Sequence, residues 1–338
     1  MKSKYKSVLV TGGSGFIGSH FVHFLLGRYY DVKVVNVDVL SYAGNSNNVK
    51  DVKKNSRYKF YRTNIGDYDS IMQILKKEKI DLIVNFAAES DNNRALRFPV
   101  DFALNNSLKT AILLEAARIG GVKRFHQIST CEVFGEMSLN SKSSFTEKSP
   151  FLPTTPYNAS KAAANHFVNS YFHTFGLPVT VSHCSNNYGP NQFPEKVIPV
   201  FITNALNDKP LPVFKSSGNK REWIHVLDHC EAIDFILRKG TIGESYNIGS
   251  GLEKTIDQLA GDILKILKKP ATLKKIIPDR LSHDSRYLLN SGKIRKLGWK
   301  PKISWVNGLP ETIEWYKKNE GWWLSLLKKT GLRKKKVR

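Results

Sequence analysis

Hydrophobic and polar positions in the first half of the chain repeat one unit: a short apolar run, a polar or glycine-rich turn, then a stretch with helical spacing. Residues 7–10 (Ser-Val-Leu-Val) read as a buried strand, and the helical pattern that follows the next turn continues through Leu26. Further strand-like runs at 32–37, 58–62, 82–87, 124–129 and 179–183 alternate with helix-like segments. Apolar strands spaced by helices predict βαβ units with right-handed crossovers, so the expected fold is α/β with a doubly wound parallel sheet of Rossmann type. Ligands of such sheets lie beyond the carboxyl ends of the strands. Asn64 and the segments 87–90, 129–132 and 185–187 all fall at such ends, and they are expected to line one crevice.

Beyond residue 186 the pattern loses its regularity, and Pro190, Pro194, Pro199, Pro210 and Pro212 interrupt short apolar pieces. Residues 227–237 read as a helix, 245–248 as a strand, 256–267 as an amphipathic helix and 310–318 as another. The expected division is a dinucleotide-binding domain over 1–185, on which 222–247 packs back. A smaller C-terminal substrate lobe would take 186–221 and 248–325, followed by a basic tail at 326–338. No internal repeat is present.

Two motifs carry chemistry. The strand at 7–10 feeds Thr11-Gly12-Gly13-Ser14-Gly15-Phe16-Ile17-Gly18, a glycine loop in the strand–loop–helix setting that makes it specific. Gly12 and Gly15 let backbone approach a pyrophosphate, Gly18 permits close helix packing, and the helix N-terminus offers free N–H groups. Asp38 follows 20 residues after Gly18, at the end of the second strand, where a carboxylate binds ribose hydroxyls and repels a 2'-phosphate. NAD is therefore expected over NADP. The second motif is Tyr157-Asn158-Ala159-Ser160-Lys161, which opens an apolar-patterned helix and places tyrosine and lysine one turn apart. An ammonium there is expected to lower the phenol from its usual value of about 10, leaving a base for an alcohol proton.

Composition narrows the field. The 338 residues, 41% apolar and 11% aromatic, suit a soluble globular chain with room for a large core and a lobe. The net charge of +23 is spread along the length, so it reads as a lysine-rich surface that also favours anionic ligands. No clustered basic stripe or recognisable module points to nucleic acid. Cys131, Cys184 and Cys230 lack metal-ligand or disulfide spacing, so neither zinc nor a disulfide framework is expected, and the compartment is reducing. With no signal peptide and no apolar run near the roughly 20 residues of a spanning helix, the protein is expected in the cytoplasm, with no membrane insertion.

The glycine loop, the Tyr-Lys pair and the strand-end Ser129-Thr130-Cys131-Glu132 together resemble the extended short-chain dehydrogenase/reductase superfamily. Within it the chain is most similar to the nucleotide-sugar 4,6-dehydratases, such as those acting on dTDP-glucose. The similarity runs through 86–90, 129–135, 157–161, 185–190, Pro194-Glu195-Lys196, Arg221 with Trp223, Asp228-His229, 246–249, and Asp279-Arg280 with 283–287. The resemblance implies that Tyr157, activated by Lys161, deprotonates the C4 hydroxyl of a nucleotide-diphosphate hexose while NAD takes the C4 hydride. Glu132 would then remove the acidified C5 proton, water would leave from C6, and hydride would return to C6. Thr130 would hold the C4 oxygen. It implies cofactor contacts from Gly12, Gly15, Phe16, Ile17, Gly18, Asp38, Asn64, Ile65, Ala87, Ala88 and Asn187, besides Tyr157 and Lys161. Substrate contacts would come from Ser90, Thr130, Asn186, Lys196, Arg221, Asn247 and His283. It also implies a homodimer through helices near 108–119 and 162–172.

Three departures bear on the chemistry. Cys131 stands where the dehydratases have an aspartic acid that helps water leave. A thiol, at about 8.5, is protonated at pH 7 but donates weakly, so both general-acid help and simple packing stay open. The Thr-Cys-Glu order also resembles the tunicamycin-pathway UDP-GlcNAc 5,6-dehydratase, in which hydride returns to C4. A Thr-Ser-Glu version resembles UDP-glucuronate decarboxylases, whereas a plain 4-epimerase needs no base at C5. The loop Ser90-Asp91-Asn92-Asn93-Arg94-Ala95 replaces the usual Ser-His-Val-Asp-Arg-Ser and is expected to face the hexose. Asn64 replaces a frequent aspartate beside the adenine. A non-catalytic NAD-binding regulator is the reading from outside enzymology, and the survival of Thr130, Glu132, Tyr157 and Lys161 together speaks against it.

Overall fold

The computed structural model describes residues 1–279, 281 and 284–329. In chain order the first half runs β1 (Ser7–Thr11), α1 (Phe16–Arg28), β2 (Lys33–Val37), β3 (Tyr58–Tyr61), α2 (Tyr68–Glu78), β4 (Leu82–Asn85), α3 (Asn92–Arg97), α4 (Pro99–Phe102), a π-helical turn (Ala103–Leu108), α5 (Lys109–Ile119), β5 (Arg124–Thr130), α6 (Pro156–Phe175) and β6 (Val179–Cys184). The second half runs β7 (Asn186–Tyr188), α7 (Val197–Leu206), β8 (Leu211–Phe214), β9 (Lys220–His225), α8 (Val226–Lys239), β10 (Ser245–Ile248), β11 (Glu253–Thr255), α9 (Ile256–Leu267), β12 (Lys274–Ile277), α10 (Gly292–Lys296), α11 (Trp305–Lys318) and α12 (Glu320–Lys329).

Seven parallel strands form the main sheet in the order β10-β6-β5-β4-β1-β2-β3. The order reverses between β1 and β4, the switch point where such sheets bind ligands. Strand residues alternate between the two faces and both faces are covered, which is why these strands are apolar throughout. Val8, Val10, Val34 and Val84 pack with Phe21 of α1 and Ile233 of α8. Leu9, Val35 and Ile83 pack on the other side with Ile71, Leu113 and Val168. A buried polar chain crosses the sheet near the switch point: Thr11 Oγ1 donates to Asn85 Oδ1 at 2.5 Å, and Asn85 Nδ2 donates to Gln127 Oε1 at 2.9 Å.

The lobe has its own core, in which Ile198, Phe201, Leu211, Leu259, Ile263, Ile313 and Trp323 meet. Its strands β11-β9-β7 form a three-stranded sheet, and β12 pairs with β8. Lys220–His225 is bound between β7 and β11, while Ile224 and Val226 already pack into the core of the main sheet. The helix expected at 310–318 starts at Trp305 and runs through Pro310; the carbonyl of Val306, which Pro310 cannot bond, belongs to a residue 78% exposed to water. Helix α7 lies where prolines suggested irregular chain, and Pro199 sits in its first turn, where no N–H is required. The tail expected from 326 begins later, since α12 continues to Lys329 and buries Trp323 and Leu326. No helix among the described residues is long and apolar enough to cross a membrane.

Asp228, at the start of α8, is 2% exposed and accepts from the backbone N–H groups of Lys302 and Ile303, both at 2.9 Å. This carboxylate ties the sheet domain to the segment leading into α11. Asp228→Ala would strand two donors, and a loss of about 3 kcal/mol in unfolding free energy is expected, read from urea midpoints at constant slope.

Candidate active site

A cavity of about 340 Å³ opens at the carboxyl end of the main sheet, and its wall is made from every strand-end segment expected there: Asn64, residues 87–90, 129–132 and 185–187. Gly12, Gly15, Phe16, Ile17, Gly18, Asp38, Ile65, Tyr157, Lys161 and Lys196 also line it. Gly12 adopts φ +64°, and a Cβ there would meet the Ala87 nitrogen at 2.9 Å. Gly18 packs so closely that a Cβ would lie 2.3 Å from the Gly12 carbonyl oxygen. The N-cap of α1 is Gly15, with no side chain bonded to the first-turn N–H groups and no acidic residue in that turn. An anion is therefore free to take those donors. Asp38 accepts from Ser14 N at 3.0 Å and Leu40 N at 2.8 Å, which fixes its carboxyl at the tip of β2. Burial still raises it above the usual carboxylate range.

The reactive groups come from β5 and α6. Thr155 caps α6 by accepting from Asn158 N, Pro156 occupies the first turn, and the helix ends at Gly176 in the left-handed region. Lys161 is 5% exposed and its Nζ donates to the Ile128 carbonyl of β5 at 2.7 Å. One turn on, Asn165 Nδ2 donates to Ser129 Oγ at 2.8 Å. These bonds place Tyr157 against the end of β5, where Thr130 Oγ1 accepts from Glu132 N at 3.2 Å and caps a short turn carrying Cys131 and Glu132.

Electrostatics correct one expectation. The phenol of Tyr157 is not lowered: burial pushes it well above its usual value, with Glu132 adding to the rise and a hydrogen bond with Thr130 only partly opposing it. Lys161 yields instead, burial lowering it to about 8. Its Nζ is held by the Ile128 carbonyl, and for the phenol burial is the dominant cause. Burial likewise raises Glu132, although a bond from Asn92 and the charges of Arg221 and Lys196 oppose this, and Asp284 adds to it. A carboxylate raised in this way is a stronger base. Cys131 is 2% exposed and packs with Val133, Phe134, Ala162, Tyr287 and Leu289, while it also borders the cavity. Burial and the Glu132 charge keep its thiol protonated.

The sequence family described as GDP-mannose 4,6 dehydratase matches residues 9–312. The chain belongs to this family. A dTDP-glucose 4,6-dehydratase of Haemophilus influenzae is 41% identical over 331 residues, spanning 92% of this chain and 97% of that protein. The crystal structure of the dTDP-glucose 4,6-dehydratase DesIV from Streptomyces venezuelae, with NAD bound, superposes with a TM-score of 0.91 at 43% identity, over 95% of this chain and 99% of that one. A UDP-glucose 4-epimerase from Thermotoga maritima shares the fold at TM-score 0.86 but only 29% identity, over 93% and 99% of the two chains.

Within this family member, Ser90, Asn186, Asn187 and Lys196 reach the cavity wall, and Lys196 Nζ donates to the Ser90 carbonyl at 2.6 Å. Ser185 Oγ and Asn186 Oδ1 are buried there without a hydrogen-bond partner among the described residues. Arg221 and Asn247 are not in the wall. The Arg221 guanidinium donates to the Asp284 carbonyl at 2.7 Å and lies 4.9 Å over the Tyr287 ring, and Asn247 Nδ2 donates to the Phe145 carbonyl at 2.9 Å. Both are buried, on β9 and β10 respectively, and the charge of Arg221 acts on Glu132. His283 lies outside the described residues. Among the residues that escaped the sequence reading are Glu195, in the wall, and Asn106, which supports it. Glu195 lines the cavity, accepts from the Tyr42 hydroxyl at 3.0 Å and is raised by burial to about 7; its only signal was its place beside Lys196. Asn106, in the π-helical turn, accepts from Glu89 N at 2.8 Å and donates to Ser160 Oγ at 2.9 Å, and nothing in the apolar pattern marks such a bulge.

The sign of the Lys161 shift makes a testable statement. Its folded-state value of about 8 lies below the unfolded value of 10.5, so the unfolded chain binds more protons between those pH values and stability rises with pH there. Chemical denaturation of wild type and Lys161→Met is expected to show that the wild-type disadvantage at pH 7 shrinks as pH rises from about 8 towards 10.5. A difference independent of pH over that window would contradict it.

Proposed function

We propose that this protein is an NAD-dependent nucleotide-sugar 4,6-dehydratase, a hydro-lyase that oxidises hexose C4, eliminates water across C5 and C6 and returns hydride to C6, leaving a 4-keto-6-deoxy sugar nucleotide. The observation that carries this reading is the meeting of Tyr157, Lys161 and Thr130 with the carboxylate of Glu132 in one cavity behind a glycine loop. The residues fit a dinucleotide: the Gly12 cradle, the open N-terminus of α1 and the anchored Asp38 carboxylate match pyrophosphate and ribose hydroxyls. Held by these groups, NAD would supply an acceptor for the C4 hydride, its return to C6, and a positive ring charge beside the phenol. Tyr157 takes the proton from the C4 hydroxyl, and Thr130 holds that oxygen. Lys161, able to change protonation near pH 8, is placed to pass that proton onward.

Once C4 is a ketone the neighbouring C5 proton is acidic, and Glu132 removes it. A 4-epimerase has no use for that base, and the names of the most similar relatives do not favour decarboxylase or 5,6-dehydratase chemistry. Those names support a dTDP-hexose as donor. Lys196 supplies a cation for the diphosphate, with Asn186 and Ser90 beside it. Arg221 and Asn247, buried on β9 and β10, are in this proposal further contacts to the nucleotide diphosphate. We also propose a homodimer through α5 with the turn before it and α6, which expose Leu108, Ile119, Phe167 and Phe175, and a cytoplasmic location suited to three free cysteines.

Incubation with dTDP-glucose, UDP-glucose and UDP-GlcNAc followed by proton NMR is expected to show a C6 methyl doublet beside a C4 ketone or its hydrate. Exomethylene protons would instead mark the 5,6-dehydratase, and unchanged sugar on every donor a regulator. Glu132→Gln is expected to abolish elimination while transient absorbance of reduced cofactor persists; normal elimination by this variant would overturn the assignment. Cys131→Asp is expected to speed elimination severalfold, since a buried carboxylic acid is the better donor. An unchanged rate and product would assign the thiol to packing alone.

A further inference from the structure

The loop after β4 departs from the dehydratase pattern, and one of its substituted residues touches the base. Asn92, the first residue of α3, donates from Nδ2 to Glu132 Oε2 at 3.2 Å. Where the usual sequence has valine at this place, no such bond is available. The loop that carries Asn92 is fastened on several sides. Asp91 caps α3 by accepting from Asn93 N at 2.8 Å, Arg94 lies 4.5 Å over the Tyr42 ring and 3.7 Å from Glu89, and Lys196 holds the Ser90 carbonyl. On the inner side Ala95 is fully buried against Phe102 and Tyr157. Helix α3 therefore packs on the phenol through Ala95 and bonds the carboxylate through Asn92.

We propose that Asn92 is a positioning residue for Glu132, its amide N–H holding the carboxylate that takes the C5 proton. This rests on the dehydratase reading for the proton's identity, and on the structure alone for the bond. The amide's orientation follows from charge: turned over, it would set its oxygen against the carboxylate, so the nitrogen faces Glu132. Its Oδ1 is buried and has no donor among the described residues, which leaves Glu132 as the partner that selects the rotamer. Burial and Asp284 push Glu132 towards its protonated form, while Arg221 and Lys196 favour the anion only from a distance. Asn92 is the group that favours the anion by direct contact, so it keeps the base available at lower pH. The same contact makes the carboxylate less basic once formed, which is the exchange expected of a base poised near its working pH.

The test uses two variants and two readouts. Infrared titration of the resting protein follows the carboxylic-acid band that disappears in Glu132→Gln and needs no substrate. Asn92→Val removes the donor and keeps a side chain of similar size, and Asn92→Asp sets a second carboxyl beside the first. The titration midpoint of Glu132 is expected to rise by about one pH unit in Asn92→Val and further in Asn92→Asp. The acidic limb of turnover should move by the same amount, with turnover on that limb falling about tenfold at fixed pH in Asn92→Val while the initial reduction of cofactor changes less than about twofold. Midpoints that coincide in wild type and both variants would overturn the proposal, whatever the protein turns over. Midpoints that shift in a protein that dehydrates no sugar nucleotide would uphold the Asn92 bond and refute the functional reading instead.

Discussion

The bond from Lys161 to the carbonyl of Ile128 is the interaction on which the site depends. It joins the first turns of α6 to the last residues of β5 at 2.7 Å, in a place where an unpaired ammonium would be very unfavourable. A charged lysine 5% exposed can be accommodated only if its hydrogen bonds are met by the protein, and the strand end supplies one. Once that bond forms, Tyr157 and the Thr130–Glu132 turn have a fixed separation. The Asn165–Ser129 bond one turn later prevents α6 from rotating about it. A helix and a strand whose bonded residues are 33 positions apart in the chain thus behave as one rigid support, which is what positioning of reacting groups requires.

The cost of this support is electrostatic. Tyr157 and Glu132 are driven by burial towards their neutral forms, and so is Lys161, lowered to about 8. A neutral phenol and a carboxylate raised by burial, beside a lysine lowered to about 8, make a site in which protons can move between groups. Glu195, at about 7, belongs to the same wall. A stable ion pair buried here would hold each group in one protonation state. The site has instead a cation bound to a neutral carbonyl, and two acids held by amide and hydroxyl partners.

The flanking loops explain how the same sheet can carry different chemistry. The fold is shared with an epimerase at 29% identity and with dehydratases at about 40%, so the sheet alone does not fix the reaction. What surrounds the Glu132 carboxylate comes from outside the sheet: an asparagine from α3, a thiol in an apolar cluster and a lysine from the loop before α7. Asn106 in the π-helical turn holds the backbone of Glu89 and the side chain of Ser160, so the loop before α3 and the helix bearing Tyr157 are registered against each other.

Much of this was legible in the chain itself. Apolar strands at helix-separated intervals determined the parallel sheet, because a strand buried on both faces leaves no polar positions to alternate with. The glycine loop, Asp38, and the Tyr157–Lys161 spacing followed from local steric and helical geometry, which depend only on neighbours in sequence. Tertiary structure decided what required distant partners. The segment 220–225 is strand-paired in the lobe's sheet between β7 and β11 while Ile224 packs into the main core, and Arg221 and Asn247 are buried on strands whose partners lie far off in the chain. The direction of the Tyr157 shift reversed for the same reason: helical spacing brings an ammonium near, but burial by parts of the chain distant in sequence is the larger effect. Hydrogen bonds such as Asn92 to Glu132 join residues 40 apart, and no periodicity along a chain records them.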